Sequence, residues 1–494
     1  MKLLLISANR EPFPDPVFPL GLAYIAESVR RFGHQIRILD LAFSRFPEKD
    51  IARVIGEEWP QVIAFSFRNL DNAAYPLTRF YLPDYQQLVQ TARDAAGISR
   101  KTNTPTGRPW LIAGGAAFSL MPRLMLNALG VDYGVEGEGE DAFPALLSAL
   151  EAGGSPLDIP GVFGANDSPF PLAFSENSFK GISGGWQKKY SFDGSTWSRI
   201  IPARDLFQLR RYGRVGGMAN IQTKRGCVFH CRYCTYPVLE GSTHRLRDPE
   251  HVVDEIQEIV ERDHIRSFFF VDSVFNIPTS HAEAVSDALI RRKLKIRWSA
   301  YASPSGLTLP ILQKMAAAGC DGLEIGSDSA DKTTLLALGK GFSRDQILDV
   351  SENCRKVGIA LCHSLIFGGP GETPETVENT CKTIDRTRPM AVVIMAGVRL
   401  YPRTPMGDWA LETGHVKESE DFLNPIFYID PSVKTFLLPY LEKFSAERGN
   451  WILPGVVAPF RPITQRIIRF AGYKKPLWHL LRYGIFKDRV YRDR

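Results

Sequence analysis

The sequence has no long apolar run. The longest runs, such as Ser267–Val271 and Phe436–Tyr440, are far shorter than the roughly 20 residues that a membrane-spanning helix needs. The first residues, Met1–Ser7, are apolar, but Arg10 and Glu11 follow directly and no small-residue cleavage site comes after them. We therefore expect a first β-strand rather than a signal peptide, and a cytoplasmic protein.

Cysteine is scarce, with seven residues in a chain of 494. Three of them fall within eight residues and the total is odd, so the pattern does not indicate a disulfide framework. A reducing compartment and a metal site explain this grouping better. The other four are isolated, and isolated buried cysteines usually act as small apolar groups: Cys320, Cys354, Cys362 and Cys381.

Excess positive charge is missing from most of the chain. Residues 461–494 carry ten Lys/Arg against two Asp/Glu, a net charge of +8, and the remaining 460 residues have a net charge of −2. The body therefore lacks the basic surface of a nucleic-acid-binding protein, and we expect no nucleic-acid partner. The basic tail also carries an apolar stripe, which indicates either packing onto the preceding domain or a peripheral contact with an anionic membrane: Ile463, Ile467, Ile468, Leu477, Trp478, Leu480 and Leu481.

Alternating strand and helix patterns predict two α/β domains. Residues 1–150 carry buried strands separated by helical stretches, which predicts a doubly wound parallel sheet. Residues 151–205 are rich in Gly, Ser, Pro and Asn and are typical of a linker. Residues 206–410 contain six strand–helix units, which predict a partial (β/α)6 barrel, and residues 411–494 form a small, mainly helical region that ends in the basic tail. In parallel barrels the reactive groups lie at the C-terminal ends of the strands.

Three cysteines come directly after the first predicted barrel strand, in the order Cys227-Val-Phe-His-Cys231-Arg-Tyr-Cys234. Iron–sulfur clusters prefer thiolate ligands. Because three cysteines leave one iron of a 4Fe–4S cluster open, that iron can bind the amino and carboxylate groups of S-adenosylmethionine and pass it an electron. A structural zinc site with a fourth ligand elsewhere is the alternative, although zinc motifs usually pair two short Cys/His units and no second unit follows here.

This motif and its setting resemble the radical S-adenosylmethionine superfamily. Tyr233, just before the third cysteine, fits the aromatic residue whose backbone helps to hold the adenine. Taken alone, the glycines could simply shape a turn and Asp272 could cap a helix. As an ordered set at strand ends, however, the resemblance implies that these residues line S-adenosylmethionine together with Tyr233: Asp272, Ser273, Asp328, Ser329, Lys340, Gly368 and Gly369.

The N-terminal domain lacks Gly-x-Gly-x-x-Gly after its first strand, which disfavours a nicotinamide or flavin site. It instead resembles the cobalamin-binding domain that is joined to many radical S-adenosylmethionine enzymes. In that family a serine contacts the nucleotide tail and a glycine pair packs against it, as Ser66 and Gly114-Gly115 would here. The resemblance implies cobalamin contacts at the strand ends, by Pro19, Leu20, Gly21, Ser66, Arg68, Gly114, Gly115, Gly137 and Glu138.

One departure concerns the lower face of cobalt. Other cobalamin folds carry Asp-x-His-x-x-Gly after the first strand, and that histidine ligates cobalt from below. Here the position reads Ala8-Asn9-Arg10-Glu11-Pro12, without histidine. We predict cobalamin with no histidine beneath cobalt; the alternative is a domain that has lost cobalamin. Arg68 lies in the loop that would face cobalt, or it is an ordinary surface arginine.

Over roughly residues 1–410 the chain resembles cobalamin-dependent radical S-adenosylmethionine methyltransferases. The resemblance implies that one S-adenosylmethionine methylates reduced cobalamin while a second yields a 5′-deoxyadenosyl radical. That radical takes hydrogen from an inert carbon, which then accepts the methyl group, so the barrel mouth should face the cobalamin domain. It further implies a small-molecule or lipid-like substrate, whose pocket would draw on His363 and Tyr301 as catalytic candidates and on Trp298.

The same resemblance implies an external electron donor of the flavodoxin or ferredoxin type. Two alternatives stay open on the sequence. A ring-forming or rearranging enzyme would need the same cofactor sites. A non-catalytic cobalamin or iron–sulfur sensor would not need cofactor-lining segments around a barrel mouth.

Overall fold

The computed structural model describes residues 1–12, 15–97, 108–165, 195–454 and 462–483. The chain divides into two compact units. Unit 1 comprises Met1–Asp71, Phe80–Gln208 and Leu239–Gly241, and unit 2 comprises Asn72–Arg79, Leu209–Val238 and Ser242–Arg494. None of the described helices combines the length and apolar character that a bilayer crossing requires.

Unit 1 is built on one sheet with the strands β1 (Lys2–Ser7), β2 (Gln35–Asp40), β3 (Val62–Ser66), β4 (Trp110–Gly114), β5 (Tyr133–Val135) and β6 (Val162–Gly164). Their order is β2-β1-β3-β4-β5-β6, and only β5 and β6 pair antiparallel. The helices are α1 (Leu20–Arg31), α2 (Pro47–Glu58), α3 (Leu82–Ala95), α4 (Ala116–Leu120), α5 (Pro122–Leu129), α6 (Gly139–Glu151) and α7 (Ser195–Arg199). Leu3, Leu4, Leu5 and Ile6 are all fully buried, because both faces of β1 are covered. The doubly wound parallel sheet is confirmed.

Part of the segment predicted as a linker belongs to this unit. Strand β6 extends the sheet at its edge, and Trp197 of α7 is buried with its ring 6.2 Å from that of Tyr24. Residues 166–194 of the predicted linker lie outside the described residues.

Unit 2 contains the strands β7 (Ala219–Ile221), β8 (Lys224–Arg225), β9 (Arg245–Leu246), β10 (Ser267–Phe270), β11 (Arg297–Ala302), β12 (Cys320–Asp328), β13 (Ala360–Phe367), β14 (Ala391–Ala396), β15 (Val398–Arg399), β16 (Phe427–Tyr428) and β17 (Trp451–Ile452). Seven of them form a parallel sheet in the order β17-β14-β13-β12-β11-β10-β7. The six predicted barrel strands are all present. Strand β17 was not predicted from the sequence, because two residues are too short to show a strand pattern.

Helices follow most of these strands: α8 (Leu209–Val215), α9 (Tyr236–Glu240), α10 (Pro249–Asp263), α11 (Thr279–Arg292), α12 (Leu309–Ala317), α13 (Lys332–Ala337), α14 (Arg344–Val357), α15 (Pro374–Arg386), α16 (Pro405–Glu412), α17 (Leu437–Ala446) and α18 (Pro462–Phe470). Short 3₁₀ helices occur at Leu41–Phe43, Arg204–Leu206, Ser419–Leu423 and Leu477–Tyr483. Alternate residues of the sheet face opposite sides. One side packs on the helices, with Leu365, Phe367 and Ile394 in a shared core.

The C-terminal tail closes the opposite side of this sheet near the N-terminal ends of its strands. Leu477, Trp478 and Leu481 are buried there with Cys362 and Ala391, a group that we call the barrel floor. This part of the predicted apolar stripe therefore packs onto the barrel, in agreement with the first of the two interpretations, packing onto the preceding domain. Ile468 and Leu480 are partly buried against the same group, Ile467 is exposed, and the side chain of Ile463 lies outside the described ones.

Candidate active site

The three grouped cysteines lie on a loop at the C-terminal end of the first barrel strand. The loop leaves the short strand β8 through Gly226, whose φ of +90° suits glycine, and ends at α9. All three thiols are free. The location agrees with the rule that reactive groups of parallel barrels lie at strand ends.

Backbone contacts hold this loop from two sides. The amide of Arg232 donates to the carbonyl of Leu338 at 3.0 Å, and the amide of Met406 donates to the carbonyl of Arg232 at 2.9 Å. Gly339 has a φ of +71°, and an added Cβ there would lie 2.7 Å from the carbonyl oxygen of His230. A glycine is therefore required where the segment after α13 meets the cysteine loop.

The thiols lie close enough to influence one another. The pKa of Cys234 is raised to about 12, chiefly by burial and to a smaller extent by the neighbouring Cys231 and Cys227. Burial also raises the pKa of Cys231, and the charge of Lys340 acts against this rise. Among the described residues, no three Cys, His, Asp or Glu side chains converge on a single metal ion. A cluster of four irons does not need such convergence, because each cysteine binds a different iron. Three mutually close thiols on one loop fit that cluster.

A buried polar group lies beside these cysteines. The hydroxyl of Tyr233 donates to Asp328, and the ammonium of Lys340 lies 2.7 Å from Asp328 Oδ2 and 3.4 Å from the Tyr233 hydroxyl. Burial and the charge of Asp328 raise the pKa of Tyr233 well above its usual value, so the phenol stays a donor. The structure thus brings together three of the residues predicted to line S-adenosylmethionine. The contacts themselves stay predictions, and Asp328 is already occupied by Tyr233 and Lys340.

Asp272 has a role that differs from the predicted one. Its carboxylate is fully buried and accepts hydrogen bonds from the amide and hydroxyl of Thr223, both at 2.6 Å, while Lys224 Nζ lies at 3.4 Å. Both oxygens are therefore used in fixing the chain just before the cysteine loop, and the side chain is not open to a ligand. Ser273 donates to the carbonyl of Gly226 at 3.0 Å and steadies the same loop.

Two further predicted positions are also enclosed. Ser329 is fully buried and its hydroxyl lies 2.9 Å from that of Thr380, so it does not line an open site. Gly368 and Gly369 are buried, and the amide of Gly368 donates to Glu372. Burial raises the pKa of Glu372 to about 8. Glu372 therefore holds the glycine turn in shape as a local structural acceptor.

His363 is not placed as a catalytic residue. It faces the helix side of β13, is fully buried, and lies between the hydroxyls of Ser327 at 2.7 Å and Ser351 at 3.2 Å. Burial lowers its pKa to about 4, so it stays neutral. Trp298 is also buried, and its indole donates to the carbonyl of Ala318 at 2.9 Å. Both predicted pocket residues are parts of the core.

Tyr301 differs from these two, because 40% of it is exposed at the C-terminal end of β11. Its ring contacts that of Phe269 edge-on at 4.9 Å. In register with it, on β12, stands Glu324, which the sequence analysis missed. The indole of Trp478 donates to Glu324 Oε1 at 2.7 Å, and burial raises the pKa of Glu324 to about 7. Only the tertiary contact with the distant tail marks this residue.

In unit 1 the predicted cobalamin residues gather at the carboxyl ends of the parallel strands. The strand order reverses direction at β1 and β3, and a doubly wound sheet binds ligands at such a switch point. Ser66 ends β3 and Gly114 ends β4, directly in register. Gly115 has a φ of +92°, and an added Cβ would lie 2.5 Å from the carbonyl of Phe67. This glycine lets the two strand ends approach each other.

Space for a ligand adjoins these strand ends. An added Cβ would meet no atom within 4 Å at Gly21, in the first turn of α1, or at Gly137, after β5. Pro19 precedes α1 and is half-buried, as is Glu138 before α6, whereas Leu20 is buried and serves the core. Arg68 is exposed and forms no ion pair within the part of the chain that the structure describes. These features fit a large ligand over the strand ends; the individual contacts stay predictions.

Comparisons with known proteins agree with both units. The model of the radical SAM superfamily matches residues 221–384, and that of the B12 binding domain matches residues 7–147. The tryptophan 2-C-methyltransferase of Streptomyces laurentii is 26% identical over 450 residues, which cover 80% of this chain and 72% of that protein. The hopanoid C-3 methylase of Methylococcus capsulatus is 26% identical over 356 residues, 70% of this chain and 60% of the relative.

A solved structure shows the same fold. The radical S-adenosylmethionine methyltransferase TsrM from Kitasatospora setae, solved with tryptophan and an S-adenosylmethionine analogue, superposes with a TM-score of 0.79 at 21% identity, over 98% of this chain and 97% of that one. A second structure of TsrM holds cobalamin and a 4Fe–4S cluster. With a radical SAM barrel that carries three loop cysteines and a B12-binding sheet in one chain, the protein belongs to the cobalamin-dependent radical S-adenosylmethionine enzymes.

Proposed function

We propose that this enzyme is a C-methyltransferase that adds a methyl group to an unactivated carbon of a small-molecule or lipid-like substrate. The observation that carries the proposal is the pairing of two sites in one chain: three loop cysteines at the barrel strand ends and open strand ends in a B12-binding sheet. Two relatives that span most of the chain are named for methylation of tryptophan and of hopanoids.

Cys227, Cys231 and Cys234 would hold the 4Fe–4S cluster, and the loops around Gly21, Ser66, Gly115 and Gly137 would hold cobalamin. When bound, these groups supply the electron that cleaves S-adenosylmethionine and the methyl group that is transferred.

The chain's own residues hold the groups of the active site in place and contact the substrate. Asp328 and Lys340 keep the Tyr233 ring in place beside the cysteines. Asp272 fixes the chain at Thr223, just before the cysteine loop. We propose that the exposed Tyr301 and the half-buried Glu324 contact the substrate. With a pKa of about 7, Glu324 can hold or release a proton near neutral pH.

Ring formation or rearrangement with the same cofactors is the less supported alternative. Four of the relatives that match more than two thirds of the chain are named as methyltransferases or methylases, whereas one, from Rubrivivax gelatinosus, is named as a cyclase. The reaction also needs one electron for each molecule of S-adenosylmethionine that is cleaved. The cysteine loop accounts for one cluster, so we propose that an external flavodoxin or ferredoxin delivers this electron to the cluster.

The test is direct. The protein is purified without oxygen, reconstituted with iron, sulfide and cobalamin, reduced, and given S-adenosylmethionine with a labelled methyl group. We expect 5′-deoxyadenosine, and with the right substrate a product heavier by one labelled methyl unit. A product that has lost hydrogens without gaining the label would replace methylation by ring formation. Reconstituted protein that forms no 5′-deoxyadenosine would exclude both.

A further inference from the structure

The outer side of α18 is unusually apolar for a surface. Phe470 is 96% exposed and Ile467 is 64% exposed. The inner side of the same helix is already packed, because Ile468 contacts the barrel floor and buried Arg469 donates to the carbonyls of Tyr473 at 3.0 Å and Lys475 at 2.8 Å. The exposed pair is therefore not needed to dock α18 on the barrel.

Helix α8 lies next to α18 and adds positive charge. Lys474 Nζ donates to the carbonyl of Gly213 at 2.9 Å, and an added Cβ at Gly217 would lie 2.8 Å from Arg469 Nη1. Arg211 and Arg214 of α8 are exposed. We call the surface made by Arg211, Arg214, Val215, Ile467, Phe470 and Lys474 the α8/α18 face.

The cations of this face lie close together. Burial, and then the charges of Arg469 and Arg214, lower the pKa of Lys474, as expected where like charges crowd. An anionic surface relieves such repulsion. Nucleic acid would neutralise the charges as well, but it would leave Phe470 and Ile467 against phosphates, whereas the headgroup region of a bilayer accepts both kinds of side chain.

We propose that the α8/α18 face docks the protein on an anionic phospholipid bilayer. Ile467 and Phe470 enter the boundary between headgroups and acyl chains, while Arg211, Arg214 and Lys474 contact lipid phosphates. Leu477, Trp478 and Leu481 of the apolar stripe take no part, because they are buried in the barrel floor.

The experiment is co-sedimentation of the full-length holoenzyme with vesicles. Vesicles of pure phosphatidylcholine are compared with an equimolar mixture of phosphatidylcholine and phosphatidylglycerol, at low and at high salt. We expect binding to the anionic vesicles that weakens with salt, because salt screens exposed charges. Each basic residue near an anionic membrane surface adds to the free energy of binding. Arg211→Gln with Arg214→Gln should therefore weaken binding roughly 30-fold. Ile467→Ser with Phe470→Ser should weaken it by at least about tenfold.

The chain offers matched controls. Phe32 is 65% exposed at the end of α1 beside Arg30 and Arg31, which belong to unit 1 and not to the α8/α18 face. Phe32→Ser should therefore leave vesicle binding unchanged. Arg291→Gln with Arg292→Gln should do the same, because these arginines belong to α11 and lie outside the α8/α18 face.

Two results would overturn the proposal: no binding of the wild type to anionic vesicles at low salt, or equal binding by the wild type and both α8/α18 variants. Circular dichroism of each variant shows that it is folded. The assay measures no catalysis, so its failure leaves the methyl-transfer proposal untouched.

Discussion

The other four cysteines cannot replace the three loop thiols as ligands of the proposed cluster. Cys354 and Cys381 are buried in helices, and Cys320 and Cys362 lie in strands of the barrel wall. Burial raises the pKa of Cys381 well above its usual value and that of Cys354 to about 12, so these thiols stay neutral and inert.

Replacing Cys227, Cys231 and Cys234 together by Ala should abolish iron binding and the formation of 5′-deoxyadenosine. Iron content and product analysis measure the two effects. Cys320→Ala and Cys354→Ala are the controls and should retain iron, because they remove only small buried groups. Full iron content in the triple variant would refute the assignment of the cluster.

Arg68 is the residue that we predict would face cobalt from below when cobalamin is bound. The reduced corrinoid should show no nitrogen coupling in its paramagnetic resonance spectrum, because no histidine follows β1. Arg68→Ala should open that face to water and change the spectrum. Clear histidine coupling in the wild type would contradict the first statement, and an unchanged spectrum in the variant would make Arg68 an ordinary surface arginine.

Glu324 should make stability depend on pH. Burial raises its pKa from 4.5 to about 7, so the folded protein binds a proton that the unfolded chain releases above pH 4.5. Its protonation therefore favours folding, and stability should fall as pH rises from about 4.5 through about 7, by up to ~3 kcal/mol.

Thermal unfolding of the wild type and Glu324→Gln between pH 5 and pH 8 measures this effect. The variant keeps a similar shape without an ionisable proton, so its melting temperature should decline less over this range. Exposed Glu258 supplies the control, and Glu258→Gln should follow the wild type. Parallel curves for Glu324→Gln and the wild type would show that Glu324 is ionised throughout.

At the scale of elements, the short helix Leu477–Tyr483 joins the C-terminal tail to the barrel wall. It seals the barrel floor with three apolar side chains, and through Trp478 it donates a hydrogen bond to Glu324. Close approach is possible because residue 322 is glycine, where an added Cβ would lie 2.5 Å from His479 Nε2.

Trp478→Ala should therefore destabilise unit 2 by about 3–5 kcal/mol, the usual cost of removing a buried aromatic side chain. Ile467→Ala, in the same tail but 64% exposed, should change stability by less than about 0.5 kcal/mol. Chemical denaturation compares the two variants. Equal stability would mean that the tail does not close the floor.

At the scale of the whole molecule, each unit has its own sheet and its own core. The two cofactor sites should therefore be lost separately. The triple cysteine variant should keep its corrinoid. Gly115→Ala, whose new Cβ would lie 2.5 Å from the Phe67 carbonyl, should lose the corrinoid and keep its iron.

Absorbance spectra distinguish the cluster from the corrinoid in both variants. Gly56→Ala is the control in unit 1, because an added Cβ meets no atom within 4 Å there, and it should keep both cofactors. Loss of both cofactors in either variant would show that the units depend on each other.

Much of this protein can be predicted from the sequence alone, because its strongest signals are local. The spacing of Cys227, Cys231 and Cys234 after a strand indicated the cluster, and alternating apolar strands and helices indicated the two sheets. The missing histidine after β1 could also be read directly. The family comparisons confirm the class of enzyme and its cofactors.

Only the tertiary structure decided what each predicted polar residue touches. Asp272 and Ser329 follow strand ends and His363 lies within β13, but which side of a strand faces the helices depends on the packing of the whole sheet. The same holds for Glu324, which is separated by more than 150 residues in sequence from the Trp478 that positions it. Sequence fixes the order and chemistry of the side chains, whereas burial and long-range contacts, which set their pKa values and roles, arise only when distant segments pack.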